Sequence, residues 1–364
     1  MDKNIKFAVI GAGAGGLSMA VHLSLMGNSV NLFNRSRERI EVISRNGAIE
    51  VKGIFDKKVR VNQITSDIKE SLKGVDIIIV IVPAFAHKDI AKLVAPYLEN
   101  GQIILLMPGR TLGAIEFSWI LKNMGVKEEV FIVETQTILH TCIPLENLSG
   151  VKILGMKKQI YFSTFPSKYN HNVLKILKSI FPQFIPSESV LKTSLGNVGC
   201  ILHPAPTLLN AGWIENSNTK FKYYYEGITP SIAKFLEKMD EERLKVAEQL
   251  GVNIPSIISW FSESYGVKGQ NLYNTLQKTK PYADILAPEN LNHRYIWEDV
   301  PTGLVPISSL GKSLGVKTTF IDIIIELANK ICEINFRKSG RDLKKFGIDN
   351  INKKDVKKIV KYGY

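Results

Sequence analysis

The chain has 364 residues, 45 % of them hydrophobic and 22 % charged, which is enough for two domains with substantial cores. Its formal net charge of +13 is spread along the sequence without an aromatic-and-basic nucleic-acid motif, so we expect a basic surface that suits anionic small molecules, with no nucleic-acid or membrane partner. Three widely separated cysteines, Cys142, Cys200 and Cys332, argue against a disulfide framework and against a metal cluster, and favour a reducing compartment.

The N-terminal segment IKFAVIGAGAGGLSMAVHLSLMG predicts a strand, a tight glycine turn and a helix. The start of the chain lacks the pattern of a signal peptide, so we expect a cytoplasmic protein. Gly11, Gly13 and Gly16 form the spacing G-x-G-x-x-G, in which the glycines allow the turn, the approach of a pyrophosphate and close packing of helix on strand. With Ala12 and Ala14 between them, they predict a dinucleotide site at the helix N-terminus.

The end of the second predicted strand, SVNLFNRSRER, bears on the choice of cofactor. An NAD-selective site usually ends this strand in Asp or Glu, which binds the ribose 2′-hydroxyl. Here the end reads Asn34, Arg35, Ser36, Arg37, with two guanidinium groups that could pair with a 2′-phosphate and no carboxylate to repel it. We therefore expect NADP(H) to be preferred over NAD(H). The alternative is that Arg35 and Arg37 only solvate a helix start.

Three further predicted strands end at residues that would line a ligand crevice. The apolar run at residues 75–86 is too short to cross a membrane and indicates a buried strand ending at Pro83. The segments QIILLMPGR and VFIVETQT indicate strands that end at Gly109 and Glu134. Because ligands bind beside the carboxyl ends of parallel strands, we expect Pro83 and Glu134 to lie next to the cofactor. Each could equally be an ordinary loop residue.

From about residue 191 the strand signals fade and helical patterns take over. PSIAKFLEKMDEERLKVAEQLG has a proline start, apolar positions at helical spacing and a glycine stop, and TTFIDIIIELANKIC predicts another buried helix. The sequence thus predicts an α/β, doubly wound Rossmann domain over residues 1–188. An all-α domain over residues 189–364 would bind the substrate and carry the catalytic residues.

The segment NVGCILHPAPTLLNAG places His203 directly before Pro204, a favoured first residue of a helix. The positive end of a helix dipole favours the neutral imidazole, whereas a carboxylate partner would favour the imidazolium. The two effects together could hold the ring near working pH, where it can shuttle protons. From the residues alone, a histidine before a proline is more often structural than catalytic.

Several motifs occur in one order over about residues 5 to 350: the glycine fingerprint, the Asn-Arg strand end, L-x-N, HP-x-x-x-LLNAG, Y-x-E-G-x-T-P and HRY-x-x-E-D-V-P-x-G-L-V-P. This arrangement resembles the octopine/nopaline (opine) dehydrogenase family. The HP and EDVP segments are the specific part, because many dehydrogenases share the glycine loop. The resemblance implies an enzyme that joins an amino acid to a 2-oxo acid and reduces the product with NAD(P)H. It also implies a homodimer.

The resemblance also implies roles for individual residues. It pairs His203 with Asp299, which would fix the imidazole tautomer and stabilise the imidazolium. Arg294 would bind the carboxylate of the 2-oxo acid in a bidentate way, the alternative being a surface salt bridge. Asn197 would orient the cofactor amide or the substrate. If the EDVP segment is extended, only one of Glu298 and Asp299 faces the site, and the resemblance selects Asp299.

The predicted reaction has two stages. The amine of an L-amino acid adds to the carbonyl of pyruvate or a related 2-oxo acid, and loss of water gives an imine. His203, held by Asp299, handles protons at the former carbonyl oxygen or at the bridging nitrogen. NADPH then delivers hydride to the imine carbon, giving an N-(carboxyalkyl)amino acid.

One departure from the family pattern and two rival functions stay open. After Glu134 the segment ETQTILHTCI lacks an arginine that the family pattern carries there, so the amino acid specificity is in doubt, and His140 either faces the site or packs. The first rival is a reductase of the ketopantoate reductase or glycerol-3-phosphate dehydrogenase kind, which uses a lysine as acid where this chain offers His203. The second is a non-catalytic NADP-binding sensor, which has no need for His203, Arg294 and Asp299 together.

Overall fold

The computed structural model describes residues 5–146, 149–216, 220–348 and 353–364. The chain forms two compact units, one of Met1–Thr193 with Val360–Tyr364 and one of Ser194–Ile359. Among the residues that the structure describes, no helix combines the length and the apolar composition that crossing a membrane requires.

Short segments rich in Val, Ile and Phe form the strands, because these side chains suit a pleated, buried surface. The strands are β1 Lys6–Ile10, β2 Ser29–Phe33, β3 Ile49–Gly53, β4 Lys57–Val59, β5 Gln63–Thr65, β6 Ile77–Val80, β7 Ile103–Leu106, β8 Phe131–Thr135, β9 His140–Pro144, β10 Gly150–Met156, β11 Ile160–Phe165 and β12 Phe184–Pro186.

The helices are α1 Ala14–Leu25, α2 Arg37–Asn46, α3 Ile68–Leu72, α4 His87–Val94, α5 Gly113–Asn123, α6 Asn170–Leu177, α7 Val190–Leu195, α8 Gly199–Leu202, α9 Pro204–Leu209, α10 Ala211–Ile214, α11 Pro230–Leu250, α12 Ile257–Tyr265, α13 Leu272–Lys278, α14 Arg294–Trp297, α15 Val305–Ser313, α16 Thr319–Ile331, α17 Phe336–Ser339 and α18 Lys353–Tyr362. A π-helical turn, Val300–Leu304, separates α14 from α15.

The first unit is built on a mostly parallel sheet. Over the described residues its eight strands lie in the order β12-β11-β8-β7-β6-β1-β2-β5, with β8 and β11 antiparallel. The central strands β1, β6 and β7 are apolar along nearly their whole length, as expected for strands covered on both faces. This topology confirms the predicted Rossmann domain, and it brings the carboxyl ends of β1, β2 and β6 to one edge.

A second, smaller sheet belongs to the same unit. Within the described ranges it contains four strands in the order β4-β3-β10-β9. Helix α1 contacts both β2 of the main sheet and β9 and β10 of the smaller sheet. The glycine-loop helix is therefore enclosed on two sides, which fixes its N-terminus in place.

The second unit is helical, as predicted, and strand pairing in its described residues is limited to an isolated bridge between Lys222 and Leu286. Helix α11 begins after the N-cap Thr229 and ends at Gly251, which has a φ of 65°. The fully buried Arg243 of this helix forms an ion pair with Asp240 and donates to the carbonyl of Leu195 at 2.6 Å. These bonds fix the chain just ahead of α8.

The observed division differs from the predicted boundary between residues 188 and 189. The first unit extends to Thr193, whose hydroxyl hydrogen-bonds to Glu134 on β8. It also includes the last residues, because the Tyr364 ring packs edge-on against Trp119 at 5.3 Å and Phe165 at 5.6 Å. Residues 360–364, which were predicted to lie in the helical domain, thus belong to the Rossmann unit.

Candidate active site

The loop between β1 and α1 has the geometry that a dinucleotide pyrophosphate requires. Gly11 has a φ of +110°, and a Cβ there would overlap the carbonyl oxygen of Ile81, while a Cβ at Gly16 would overlap the carbonyl of Gly11. At Gly13, the N-cap of α1, no described atom lies within 4 Å of a Cβ position. The open space and the N–H groups of the helix N-terminus fit an anionic pyrophosphate.

Two side chains hold this loop from the neighbouring strand and helix. Asn34, at the end of β2, accepts a hydrogen bond from the Ala12 backbone N–H through Oδ1 at 3.0 Å. Arg39 of α2 donates from Nε to the Ala12 carbonyl at 3.2 Å. The Asn34 side chain therefore supports the predicted cofactor loop by bonding to the loop backbone at Ala12. Arg39 was not among the predicted cofactor residues, although it lies in the same basic run as Arg35 and Arg37.

Arg35 and Arg37 are both exposed beside the loop. Arg37 donates from Nε to the Ser66 hydroxyl at 3.0 Å, which orients its guanidinium along the edge of the sheet. A carboxylate is also present: Glu38, in the first turn of α2, accepts from the Ser36 hydroxyl at 2.6 Å. The predicted absence of a carboxylate thus holds at the strand end but not in the next helical turn.

The two remaining predicted cofactor neighbours differ in exposure. Pro83 is exposed and precedes the short 3₁₀ turn Ala84–Ala86 beyond β6. Glu134 is fully buried; its carboxylate accepts from the Ala114 N–H at 2.9 Å and from the Thr193 hydroxyl. Glu134 thus anchors the first turn of α5, and its position next to the cofactor stays a prediction. Strand-end position alone does not distinguish these two outcomes.

The segment ILHTCI lies beneath α1. The ring of His140 approaches the Ser18 hydroxyl at 3.2 Å through Nδ1 and His22 at 3.4 Å through Nε2. Burial, with smaller contributions from His22 and Lys157, lowers the pKa of His140 to about 3. Of the two options left open by the sequence, His140 packs, as a neutral ring between the smaller sheet and the helix.

In the helical unit His203 and Asp299 meet across a sequence separation of 96 residues. His203 lies at the junction of α8 and α9, and its Nδ1 donates to Asp299 Oδ2 at 2.7 Å. The Asp299 side chain is fully buried, whereas 16 % of the His203 side chain is exposed. A buried carboxylate on Nδ1 fixes the tautomer with the lone pair on Nε2, which suits that atom for proton transfer.

Aromatic side chains, none of them predicted, surround this pair. The Tyr295 ring stacks on the His203 ring with centroids 4.1 Å apart and an interplanar angle of 14°. The Tyr223 hydroxyl donates to the His203 carbonyl oxygen at 2.6 Å and contacts the Thr207 hydroxyl at 2.8 Å. Tyr295 follows Arg294 directly in the HRY segment, and that adjacency was the signal that could have found it.

Arg294 forms an ion pair with Glu298 one turn later. Its Nε and Nη2 atoms lie 3.1 Å and 2.9 Å from Glu298 Oε2, and 54 % of its side chain is exposed against 3 % for Glu298. Glu298 thus occupies one edge of the guanidinium. The segment is helical rather than extended, so Glu298 and Asp299 point to different partners because of helical rotation rather than strand alternation.

Close packing between α8 and the π-helical turn brings the pair together. Gly303 packs against Cys200, and a Cβ at Gly303 would overlap Cys200 Cβ. The buried Asn197 lies beside the same contact, with its Nδ2 3.6 Å from that position. Cys200 Sγ donates to the Asn197 carbonyl at 2.9 Å. Asn197 therefore sits between the two elements that present His203 and Asp299.

A pocket of about 350 Å³ opens beside Tyr295. Its lining comprises Leu286, Ala287, Pro288, Glu289, Asn290, Asn292, His293 and Tyr295. The His293 ring meets the Tyr295 ring edge-on at 4.5 Å. The pocket thus shares one wall with the histidine pair.

A pyrophosphate-binding glycine loop on a mostly parallel sheet, with a partly exposed histidine on a buried aspartate and an exposed arginine on a helical unit, defines an NAD(P)-dependent oxidoreductase. Comparisons with known proteins agree. The family model for the alpha-helical domain of NAD/NADP octopine/nopaline dehydrogenase matches residues 186–332, and that for ketopantoate reductase PanE/ApbA matches residues 7–109.

The chain is 40 % identical over 361 residues to an opine dehydrogenase of Arthrobacter sp. (strain 1C), covering 99 % of this chain and 100 % of that protein. It therefore belongs to the opine dehydrogenase family, NAD(P)-dependent oxidoreductases that act on CH–NH bonds. Two solved structures share the fold: octopine dehydrogenase with NADH and L-arginine (TM-score 0.79, 19 % identity, 97 % of each chain) and NADP⁺-bound yersinopine dehydrogenase (TM-score 0.77, 13 % identity, 100 % of this chain and 99 % of that chain).

Proposed function

We propose that this enzyme condenses an L-amino acid with a 2-oxo acid such as pyruvate and reduces the resulting imine with NADPH, giving an N-(carboxyalkyl)amino acid. The observation that carries the proposal is the His203–Asp299 pair, 2.7 Å between Nδ1 and Oδ2, with Arg294 on the same segment as Asp299. Octopine dehydrogenase structures contain arginine, agmatine or pyruvate, so small amines and 2-oxo acids suit this family.

In this account His203 moves the protons. When the amine nitrogen attacks the 2-oxo carbon, the C–N bond forms and the former carbonyl oxygen must leave as water, which requires two protons. The imidazolium donates one proton to that oxygen from Nε2, and the neutral ring then accepts a proton from the attacking nitrogen. The regenerated imidazolium donates this second proton to the hydroxyl, so that water leaves and the protonated imine remains to accept the hydride. Asp299 keeps Nδ1 protonated throughout and stabilises the cationic ring.

Arg294 would bind the carboxylate of the 2-oxo acid. Glu298 contacts the Nε and Nη2 side of its guanidinium, which leaves the end formed by Nη1 and Nη2 directed away from the ion pair. That end matches a carboxylate with two parallel hydrogen bonds. Binding there would hold the 2-oxo acid near His203, and Asn197 would support the elements that carry the pair.

NAD(P)H supplies, when bound, the hydride that reduces the imine carbon. Gly11, Gly13 and the N-terminus of α1 would hold its pyrophosphate, supported by Ala12, Ala14 and Gly16. We expect NADP(H) to be preferred, because Arg35 and Arg37 supply two exposed positive charges against the single carboxylate of Glu38. NAD(H) would bind more weakly, through the same loop.

The cofactor preference is tested by kcat/KM for NADPH and NADH in two variants. Arg35→Ala combined with Arg37→Ala lowers kcat/KM for NADPH by about 10-fold or more and leaves NADH little changed, because two charge-assisted contacts to the 2′-phosphate are lost. Glu38→Gln shifts the ratio toward NADPH. An equal loss for both cofactors would contradict the proposed role of the arginines.

The reaction itself is tested by NADPH oxidation with pyruvate plus pooled L-amino acids. Pyruvate alone and amino acids alone are the controls, and His203→Gln is compared with the exposed His171→Gln. We expect turnover only with both substrates, loss in His203→Gln and retention in His171→Gln. Oxidation with a 2-oxo acid alone would instead establish a ketopantoate-reductase-like or glycerol-3-phosphate-dehydrogenase-like enzyme. Tight NADPH binding without turnover in any mixture would establish the sensor.

We also propose a cytoplasmic homodimer. The three cysteines are all free thiols in the structure, which suits a reducing compartment. α16 is amphipathic, with Ile321, Ile324, Ile325 and Ala328 buried, and Ile323 on its outer face is 49 % exposed and would contact the second copy. Light scattering of the purified protein tests this, and a monomer at micromolar concentration would contradict it.

A further inference from the structure

The His203 ring is held on more sides than its hydrogen bond to Asp299 requires. Its Nδ1 bonds the buried Asp299 and one ring face is covered by Tyr295 at 4.1 Å and 14°. Its backbone carbonyl accepts from both the Tyr223 hydroxyl at 2.6 Å and the Thr207 hydroxyl at 2.8 Å. The stacked Tyr295 ring therefore fixes the plane of the imidazole, and the two hydrogen bonds to the carbonyl oxygen fix the position of the His203 backbone.

Tyr295 is itself fixed in orientation. Its side chain hydrogen-bonds with that of Tyr224, and burial raises its pKa, so the phenol stays neutral over the working range. The His293 ring contacts it edge-on at 4.5 Å, and Tyr223 lies 5.1 Å away between centroids. A phenol held by three aromatic neighbours presents its π face to His203 without freedom to turn away.

A neutral aromatic face interacts differently with the two protonation states of the imidazole. The negative face of the ring quadrupole attracts the imidazolium and has little preference for the neutral ring. The titratable and charged groups that surround His203 in the described structure are Asp299, Tyr223, Tyr295, His293 and Arg294. Among them Asp299 and the Tyr295 face favour the cation, while Arg294 opposes it.

We propose that Tyr295 is a positioning residue whose ring clamps the His203 imidazole and stabilises its protonated form. The inference rests on the proposed function, in which His203 must carry a proton to the departing oxygen. The HRY segment then has two roles. Arg294 binds the substrate carboxylate, and Tyr295, next in the chain, holds the His203 ring. The ring face rather than the hydroxyl does this, since the hydroxyl is bonded to Tyr224.

The first test is the titration of His203 by NMR in histidine-labelled enzyme without substrates. The chain has six histidines, and the His203→Gln variant assigns the resonance. In Tyr295→Leu the midpoint moves to lower pH by about half to one unit, a roughly 3- to 10-fold weaker proton affinity. In Tyr295→Phe, which keeps the face and removes the hydroxyl, the midpoint stays at the wild-type value.

The second test is kinetic. Reductive turnover needs the His203 imidazolium and falls at high pH, whereas oxidative turnover needs the neutral ring and falls at low pH. In Tyr295→Leu the midpoints of both pH dependences move to lower pH, and in Tyr295→Phe both stay in place. If Tyr295→Leu does not fold, Tyr295→Met replaces it, since it keeps length and apolarity without a π face.

Two outcomes separate the hypotheses. An unmoved midpoint in folded Tyr295→Leu or Tyr295→Met, or an equal shift in Tyr295→Phe, overturns the clamp. A midpoint that moves in the NMR titration while both kinetic limbs stay in place supports the clamp and instead contradicts the proton-shuttle role of His203.

Discussion

At the scale of single residues, proton transfer by His203 depends on one buried carboxylate. Asp299 is fully buried and its Oδ2 accepts from His203 Nδ1 at 2.7 Å. Asp299→Asn keeps the volume but removes the charge and permits the wrong tautomer. We expect kcat to fall by about 10²- to 10⁴-fold with a much smaller change in KM.

The matched control for that change is Asp284→Asn, because Asp284 has a 90 % exposed side chain paired only loosely with Lys222 at 3.1 Å. It should leave kcat near the wild-type value. Equal activity of the two variants would contradict a catalytic role for the His203–Asp299 pair.

Arg294 provides a second prediction at this scale. Lysine keeps the charge but loses the planar, two-point contact with a carboxylate. Arg294→Lys should raise KM for the 2-oxo acid by roughly 10- to 100-fold, with KM for the amino acid much less affected. Arg45→Lys is the control, since Arg45 forms the same i,i+4 pair with Glu41 on the exposed face of α2. A rise confined to the amino acid KM would reassign Arg294 to the other substrate.

Some of the site residues could be predicted from the sequence, and others could not. The His203–Asp299 contact was expected from the family resemblance, because no local pattern links residues so far apart in the chain. Tyr295 was missed because ring stacking depends on the tertiary position of α14 relative to α9. The inward turn of Glu134 to the Ala114 N–H was not predictable, because the end of a strand fixes where the backbone emerges but not which way a side chain turns.

At the scale of elements, the packing of α8 on the π-helical turn positions the active pair. A methyl group at Gly303 would overlap Cys200 Cβ, so Gly303→Ala must push the two elements apart. We expect a stability loss of about 1–3 kcal/mol in urea unfolding and a drop in kcat larger than the drop in affinity for NADPH. The π-helical form of this turn, rather than the extended segment considered from the sequence, places Gly303 against Cys200.

Two further variants test the cause. Cys200→Gly in the Gly303→Ala background removes the opposing Cβ and should restore part of the activity. Gly212→Ala serves as control, because no described atom lies within 4 Å of a Cβ there. Gly212→Ala should be neutral or slightly stabilising, because alanine favours a helix over glycine. An equal loss of stability and activity in Gly212→Ala would contradict the contact as the cause.

The smaller sheet provides a pH-dependent element. The folded-state pKa of His140 is about 3 against 6.5 for the ordinary histidine, since burial favours the neutral ring. Above pH 6.5 the ring is neutral in both the folded and the unfolded state and does not affect stability. As pH falls from 6.5 toward 3, only the unfolded state takes up the proton, so the unfolding free energy falls by about 1.4 kcal/mol per pH unit. His140→Gln should flatten the pH dependence of the unfolding free energy between pH 7.5 and 5.5, about the range over which the loss begins.

The exposed His171→Gln is the control for that measurement and should retain the wild-type slope. His22, whose pKa burial also lowers, contributes in the same direction, so the slope falls without vanishing. A steeper dependence in His140→Gln would contradict the burial argument.

At the scale of the whole molecule, composition and periodicity sufficed for the division into a Rossmann unit and a helical unit. The glycine loop, the apolar strands and the capped helix α11 each follow from local chemistry, which is why the fold class was predictable. That residues 360–364 belong to the first unit was not predictable, because the contacts of Tyr364 with Trp119 and Phe165 are tertiary and leave no local pattern in the sequence. Substrate identity is fixed by the shape of the folded site and not by any local pattern.

In the proposed reaction, one active site joins two substrates through nitrogen before reduction. The most direct test is mass spectrometry of the product formed from ¹⁵N-labelled L-amino acids, pyruvate and NADPH. We expect a secondary amine that retains ¹⁵N and has the mass of both substrates minus water plus two hydrogens. His203→Gln should form none of it. A reduced hydroxy acid beside unchanged labelled amino acid would contradict it.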